Sequence, residues 1–155
     1  TFADPMGNAI MLGTEWSRFE LSRAAKKVVL IAEAIVDPGC IRQYPNLVRI
    51  PELVVEAVVY WPFAAWPAGS PGMYDVDEEH MRSMNVALGT AEGTEKYVRD
   101  FVSSWRDVDG YLDIIGRDRL AKLEQSTTSF LADPYRKWIL SPRDVASLMA
   151  EGVRQ

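Results

Sequence analysis

The stretch from Phe63 to His80, FAAWPAGSPGMYDVDEEH, contains side chains well suited to chemistry in this chain of 155 residues. His80 is the single histidine of the sequence, and it directly follows a run of acids. An imidazole that titrates near neutral pH can act as a general base. The same position also suits the first turn of a helix, with Asp75 as the cap and Glu78 three residues later. The spacing favours this structural role for His80.

Two further side chains, Glu33 and Cys40, are candidates for reactive groups. Glu33 interrupts the apolar segment VVLIAEAIV, where an unpaired charge would be costly. We therefore expect Glu33 to be paired, protonated or at a wet interface, and a structural partner fits as well as a catalytic role. Cys40 is the single cysteine, which excludes an internal disulfide and favours a reducing, cytoplasmic setting. One cysteine and one histidine cannot form a standard zinc site, so no metal is expected.

Composition limits the classes of partner. A formal net charge of −5 argues against binding to nucleic acid, which requires a basic face. No apolar run approaches the roughly 20 residues that span a bilayer, and no signal peptide is visible, so no membrane association is expected. The chain opens on Thr1 without a methionine, and a fragment, a cleaved chain or a split gene is the expected explanation. An N-terminal threonine nucleophile would need a base beside it, and the sequence suggests none.

The elements that would position these groups differ between the two halves. In residues 1–62 the pattern predicts an α/β arrangement: a strand at AIML, a helix capped by Thr14 and ending in SRAAKK, a buried strand over VVLIAEAIV and a short strand at LVRIP. ELVVEAVV follows, as a helix with Pro51 in its first turn or as a strand. In residues 63–155 a loop leads into a mainly helical part, with helices from Glu92 to Trp105, over DGYLDIIG and RDRLAKLEQ, and after a Ser141 cap. We expect one domain over residues 1–155.

Five segments, in order, resemble the C-terminal half of the α subunit of the glutaconate CoA-transferase type, in CoA-transferase family I. ADPMGN is similar to the family's AD-x-x-GN turn, and SRAAKKVVLIAEAIVD to its AA-K-x-V-I-x-x-x-E-x-I-V segment. RIPELVVEAVVYWPFAAWP, MYDVDEEHMRSM and YLDIIGRDRLAKL resemble its next three segments. The resemblance covers nearly the whole chain. It implies an open layered α/β sheet with flanking helices and a helical C-terminal part.

The resemblance also implies a reaction. Family members move CoA from an acyl-CoA to a carboxylic acid through a glutamyl-CoA thioester, and in the glutaconate type the nucleophilic glutamate lies on the β subunit. No position of this chain matches that motif, so no catalytic residue is assigned to it. The implied partners are the missing N-terminal half of the α subunit, and the β subunit. Coenzyme A is implied as a substrate, and no permanently bound cofactor is expected.

One departure from the family pattern singles out the loop. The family's A-H-P is replaced by Ala65-Trp66-Pro67, which predicts a preference for bulkier or less polar acyl groups if the loop borders the acyl pocket. Candidate residues for the pocket or the subunit interface are Trp66, Ser70, Tyr74 and Glu33. Two alternatives stay open: a CoA-thioester or ring-cleaving hydrolase on the same scaffold, and a non-catalytic interaction domain, since aromatic residues are enriched at interfaces.

Overall fold

The computed structural model describes residues 1–14, 17–125 and 129–151, and the account below concerns these residues. The chain divides into two compact units. The first joins Thr1–Ala64 to the C-terminal segment that starts at Phe130, and the second is Ala65–Ser129. The C-terminal segment therefore belongs to the α/β unit. The sequence pattern predicts this segment as part of the mainly helical part, residues 63–155. That the whole chain forms one domain stays a prediction.

The first unit contains short strands arranged in two sheets. The strands in the described residues are β1 (Phe2–Ala3), β2 (Ala9–Ile10), β3 (Val29–Ala32), β4 (Ala34–Ile35), β5 (Val48–Ile50) and β6 (Ala57–Tyr60). One sheet has the order β4-β1-β2-β5, in which β1 pairs with β4 in parallel and with β2 antiparallel. The second sheet consists of the parallel pair β3-β6. The predicted mixed α/β class is confirmed.

Helices flank these sheets and make up most of the second unit. The first unit contains α1 (Arg18–Ala24), α2 (Pro38–Gln43), α7 (Asp133–Arg136) and α8 (Pro142–Glu151). The second unit contains α3 (Glu78–Ala87), α4 (Ala91–Tyr97), α5 (Val108–Ile115) and α6 (Arg117–Leu123). Short 3-10 turns lie at Pro45–Leu47, Glu52–Val54 and Ser129–Leu131. The helix predicted from Glu92 to Trp105 is shorter, because α4 passes into a π-helical turn over Val98–Val102.

The prediction of one buried strand over VVLIAEAIV is wrong. The chain changes sheets at Glu33, so that β3 pairs with β6 and β4 pairs with β1. Exposed and buried residues alternate along β3, which indicates a strand with one covered face rather than two. The segment ELVVEAVV, for which the sequence left helix and strand open, forms the turn Glu52–Val54 and then strand β6.

Helix boundaries show which capping signals were interpreted correctly. Ser141 caps α8 as predicted, and its Oγ accepts the Asp144 N–H at 3.2 Å. Thr14 does not cap the first helix, because α1 begins later, at Arg18. The same helix ends at Ala24, before the two lysines that were expected in its last turn. In the second unit the cap of α3 is Asp77 and not Asp75, since the Asp77 carboxylate accepts the N–H of His80.

The core of the first unit is a layer of small and branched apolar side chains. Its buried members are Ala3, Ala9, Leu30, Ala32, Ile35, Ile50, Val55 and Val145. The turn between β1 and β2 is closed by buried Asp4, whose Oδ1 accepts the backbone N–H groups of Met6, Gly7 and Asn8. Gly7 has φ +103° and lies against Val55, so a side chain there would be both strained and crowded.

The parallel pair β3-β6 leaves one apolar face in solvent in the described chain. Val29 and Ile31 are 60% and 51% exposed, and Leu21 of α1 is also exposed beside them. An open groove of about 450 Å³ runs along these residues, with Arg18 and Lys27 in its lining. Parallel sheets in known folds are normally covered on both faces. Within the described residues, the helices are all too short or too polar to cross a lipid bilayer.

Candidate functional site

The loop that precedes α3 closes on itself. We call residues 65–76 the Trp66 loop. Ser70 and Tyr74 pair through their backbones, with N···O distances of 3.0 and 3.1 Å, and both side chains are buried. The Tyr74 hydroxyl accepts the N–H of Ala65 at 2.9 Å, which links the first residue of the loop to its far side. Gly69 permits this closure, because a Cβ there would lie 2.9 Å from the backbone nitrogen of Val76.

A single buried carboxylate holds the loop in place. Asp77 is 5% exposed, and its Oδ2 accepts the indole N–H of Trp66 at 3.0 Å. Its Oδ1 accepts the backbone N–H of His80 at 3.0 Å, and the Arg119 guanidinium donates to both oxygens at 3.1 and 3.3 Å. The Asp77 N–H also donates to the Pro67 carbonyl at 2.9 Å. Asp77 therefore joins the Trp66 loop, the start of α3 and the start of α6.

These partners keep Asp77 charged. Burial alone would raise its pKa, but the hydrogen bonds from the His80 amide, the Trp66 indole and Arg119 outweigh it. The pKa of Asp77 consequently lies below its ordinary value. Because its oxygens accept hydrogen bonds from three residues, this carboxylate is arranged to position neighbours rather than to attack a substrate.

An aromatic layer packs against the indole. The Trp66 ring lies 4.1 Å from the His80 ring between centroids, and Phe101 contacts His80 edge-on at 4.7 Å. Tyr97 stacks on Phe101 at 4.9 Å, as their spacing of four residues predicts. His80 Nε2 lies 3.0 Å from the Tyr97 hydroxyl, and the tautomer of the imidazole decides which of the two groups donates.

The surroundings of His80 favour its neutral form. Burial lowers the pKa of His80, the charge of Asp77 acts in the opposite direction, and Arg119 lowers the pKa further. The net shift is downward. Burial likewise raises the pKa of the facing Tyr97 hydroxyl. The predicted position of His80 in the first turn of a capped helix is confirmed, and its structural rather than catalytic role stays a prediction.

The neutral His80 predicts a pH dependence of stability. The unfolded chain binds a proton on His80 near pH 6.5, whereas the folded chain does not until a lower pH. Because the unfolded state binds more protons, the free energy of unfolding should fall as pH drops below about 6.5. This loss should be largely absent in His80→Gln, which keeps polar atoms near Tyr97. Urea unfolding of both proteins between pH 7.5 and 5 measures it, and equal slopes for the two proteins would contradict the prediction.

The structure brings together three of the four candidate residues from the sequence. Trp66, Ser70 and Tyr74 lie in the same loop of the second unit. Glu33 belongs to the first unit, where it is buried between β3 and β4 and its N–H donates to the Thr1 carbonyl at 3.1 Å. Assignment of the four residues to a pocket or an interface stays a prediction. In the described part of the chain, no cluster of three or more histidine, cysteine or acidic side chains could hold a metal ion.

Sequence reasoning missed two residues of this site. Asp77 is missed because Asp75, with Glu78 three positions later, fits the capping-box pattern, whereas the residue three positions after Asp77 is His80. The sequence places Arg119 only within the predicted helix RDRLAKLEQ, whereas in the structure its guanidinium contacts a carboxylate 42 positions away. The Arg119 side chain is only 36% exposed. Nothing in the local sequence distinguishes it from the other charged residues of this helix.

Comparison with known proteins gives this arrangement a family context. No protein-family model matches the chain. Among curated proteins, the chain is 30% identical over 122 residues to the α subunit of glutaconate CoA-transferase from Acidaminococcus fermentans, and the match covers 79% of this chain. The crystal structure of glutaconate coenzyme A-transferase from the same organism superimposes with a TM-score of 0.77 and 26% identity over 92% of this chain. The chain is a CoA-transferase α-subunit-like protein.

A second curated relative extends the comparison. An uncharacterized protein of Archaeoglobus fulgidus is 38% identical over 124 residues, again 79% of this chain. The α-subunit-like chain spans 28% and 38% of the lengths of these two curated relatives, and 43% of the matching chain in the crystal structure. The resemblance carried by the five sequence segments is thereby confirmed at the level of the family.

Proposed function

We propose that this chain is part of the α subunit of a CoA-transferase that moves CoA between an acyl-CoA and a carboxylic acid. The observation that carries the proposal is the similarity to the α subunit of glutaconate CoA-transferase over 79% of the chain. The match in fold, at a TM-score of 0.77, supports it independently of the sequence alignment. A cytoplasmic location goes with this proposal, and the free, buried thiol of Cys40 is compatible with it.

The proposed reaction uses a glutamate of the partner subunit. Its carboxylate attacks the acyl-CoA carbonyl and releases the CoA thiolate, which leaves an acyl-glutamyl anhydride. The thiolate then attacks the glutamyl carbonyl, which forms a glutamyl-CoA thioester and releases the first acid. A second carboxylate reverses these steps and leaves as the new acyl-CoA. The residues of this chain would shape the acyl pocket and the subunit contact.

Two partners are included in the proposal: the β subunit, and the remaining part of the α subunit. The lengths support the second, because the chain spans less than half of the two curated relatives and of the matching chain in the crystal structure. The exposed apolar face of β3, with Val29 and Ile31, offers a surface that another polypeptide segment could cover. The Trp66 loop is proposed as a wall of the acyl pocket or of the β-subunit contact.

Acyl exchange tests the proposal. The complete α subunit that carries this chain, assembled with its β subunit, is incubated with acetyl-CoA and labelled acetate, and transfer of label into acetyl-CoA is measured. Borohydride added after acyl-CoA, but not before it, should inactivate the enzyme by reducing the glutamyl thioester. Mass spectrometry should then find the modification on the partner subunit.

Other outcomes would point to the alternatives. Release of CoA without any acceptor acid would indicate a thioester hydrolase and overturn the transferase proposal. An assembly that neither exchanges label nor releases CoA, and binds no acyl-CoA, would favour a non-catalytic interaction domain. A borohydride modification on Glu33 would contradict the assignment of the nucleophile to the partner subunit.

A further inference from the structure

The indole of Trp66 is held at both its edge and its face. At the edge, its N–H donates to Asp77 Oδ2 at 3.0 Å. On the face, it packs against the His80 ring at 4.1 Å. The orientation of the ring therefore depends on a directional bond to one carboxylate as well as on packing, which is not directional.

Asp77 is itself fixed by contacts from outside the loop. Arg119 of α6 donates to both of its oxygens, and the first turn of α3 donates through the His80 N–H. A charged partner holds a carboxylate more strongly than a neutral one, and here one guanidinium nitrogen of Arg119, Nη1, contacts both oxygens. Arg119 also lies 3.6 Å from the exposed carboxylate of Glu79, a surface contact that adds little to its position.

The part of Trp66 that remains in solvent is accompanied by small side chains. Trp66 is half-buried, and the neighbouring Ala65 and Ala68 are exposed. Trp66 therefore supplies the large apolar group at this end of the loop. A change in the tilt of the indole would alter the shape of the apolar surface offered to a ligand, while the loop closure through Tyr74 would remain.

We propose that Asp77, fixed by Arg119, is a positioning residue that orients Trp66 and so sets the preference of the enzyme among acyl groups. The inference rests on the proposed CoA-transferase function and adds to it the residues that control acyl selectivity. Asp77 acts through Trp66 and does not touch the reacting atoms. We expect this arrangement of Asp77 and Trp66 to favour thioesters with longer apolar acyl chains over thioesters with short or polar acyl groups.

The test compares acyl preference in the assembled enzyme. The ratio of kcat/KM for hexanoyl-CoA to that for acetyl-CoA, with acetate as acceptor, is measured for wild type, Asp77→Asn, Arg119→Gln and Trp66→Phe. We expect the ratio to fall about tenfold in Asp77→Asn and Trp66→Phe, since small displacements of a substrate-contacting group have effects of this size or larger. Arg119→Gln should shift it in the same direction by less. A purely structural defect would lower the amount of active enzyme and leave the ratio unchanged.

Two comparisons keep the test decisive. Asp113→Asn is the matched control, because Asp113 also pairs with an arginine, at 2.8 Å, but on the exposed surface of the same unit. Its ratio should equal that of wild type. The double variant with Asp77→Asn and Trp66→Phe should be no worse than either single variant, because both changes act on the same contact between Asp77 and Trp66. Additive effects, or an unchanged ratio in both single variants, would overturn the inference.

A spectroscopic readout separates this inference from the proposed function. With 5-fluorotryptophan incorporated, the fluorine resonance missing in Trp66→Phe belongs to Trp66, and it should move in Asp77→Asn but not in Asp113→Asn. If wild type exchanges no acyl groups, the proposed function and the selectivity inference both fail, although the resonance still reports the Asp77–Trp66 contact. If wild type exchanges acyl groups and the resonance does not move in Asp77→Asn, the positioning inference alone fails.

Discussion

Replacing Asp77 by alanine is expected to lower the free energy of unfolding by about 3 kcal/mol. The change removes the N-cap of α3, which contributes about 1 kcal/mol. It also removes the acceptor for Trp66 and Arg119, and hydrogen bonds to a charged group contribute about 1.5–3 kcal/mol each before exposure is considered. Arg119 is partly exposed, so in the variant its guanidinium can hydrogen-bond to water instead. The total loss of unfolding free energy therefore stays near the lower end of this range. Urea denaturation followed by circular dichroism measures the change.

Two further variants define how the result is interpreted. Asp77→Asn retains the size of the side chain and one carbonyl oxygen, so we expect a loss of about 1–2 kcal/mol. Asp113→Asn removes an exposed pair with Arg117 and should cost less than about 1 kcal/mol. Equal stability losses in the two asparagine variants would show that Asp77 contributes no more than a surface ion pair, contrary to its buried position.

Replacing Trp66 by alanine should lower the free energy of unfolding by about 2–3 kcal/mol. The loss combines the ring contacts with His80 and Phe101 and the hydrogen bond to Asp77. A fully buried tryptophan would lose about 3–5 kcal/mol, and Trp66 is only half-buried. Thermal and urea unfolding monitored at the far-ultraviolet helix signal measure the change.

Trp66→Phe and Trp66→His separate the two contributions. Phenylalanine retains an aromatic ring but no N–H, so its cost of about 1.5 kcal/mol, the lower end of the range for a bond to a charged group, should report the lost hydrogen bond to Asp77. Histidine, which the family pattern has at this position, can donate a ring N–H to Asp77. Neutral histidine still donates one N–H, whereas protonated histidine beside that carboxylate has a raised pKa and adds a charge-assisted contribution, which should be present at low pH and disappear as pH rises through the folded pKa. Identical pH dependence of stability in Trp66→His and in wild type would contradict a contact between the introduced imidazole and Asp77.

Local patterns predicted the helical part of the chain well. The helices over DGYLDIIG and RDRLAKLEQ correspond to α5 and α6, and the Ser141 cap and Pro142 define the start of α8. These features depend on neighbours three or four residues apart, which a sequence displays directly. The contact of Tyr97 with Phe101 was predictable for the same reason.

The errors lie where distant residues decide the outcome. VVLIAEAIV is apolar except for Glu33, and this one residue does not indicate locally that β3 and β4 join different sheets on either side of it. The choice of Asp77 over Asp75 as the cap of α3 depends on Trp66 and Arg119, which are 11 and 42 positions away. The family resemblance drew attention to the Trp66 loop. Only the three-dimensional structure identifies Asp77 as the carboxylate that orients this loop.

The open face of the β3-β6 sheet has a consequence for handling the chain in isolation. A parallel two-stranded sheet that exposes Val29 and Ile31 is a template for further strands, and sequences of this kind promote edge-to-edge aggregation. The flanking Lys27 is already paired with Glu56, which reduces its value as a repelling charge at the end of the strand. We therefore expect aggregation of the isolated chain to begin at β3. The substitution Ile31→Lys should reduce this aggregation, because it places a charge on the exposed face of the strand.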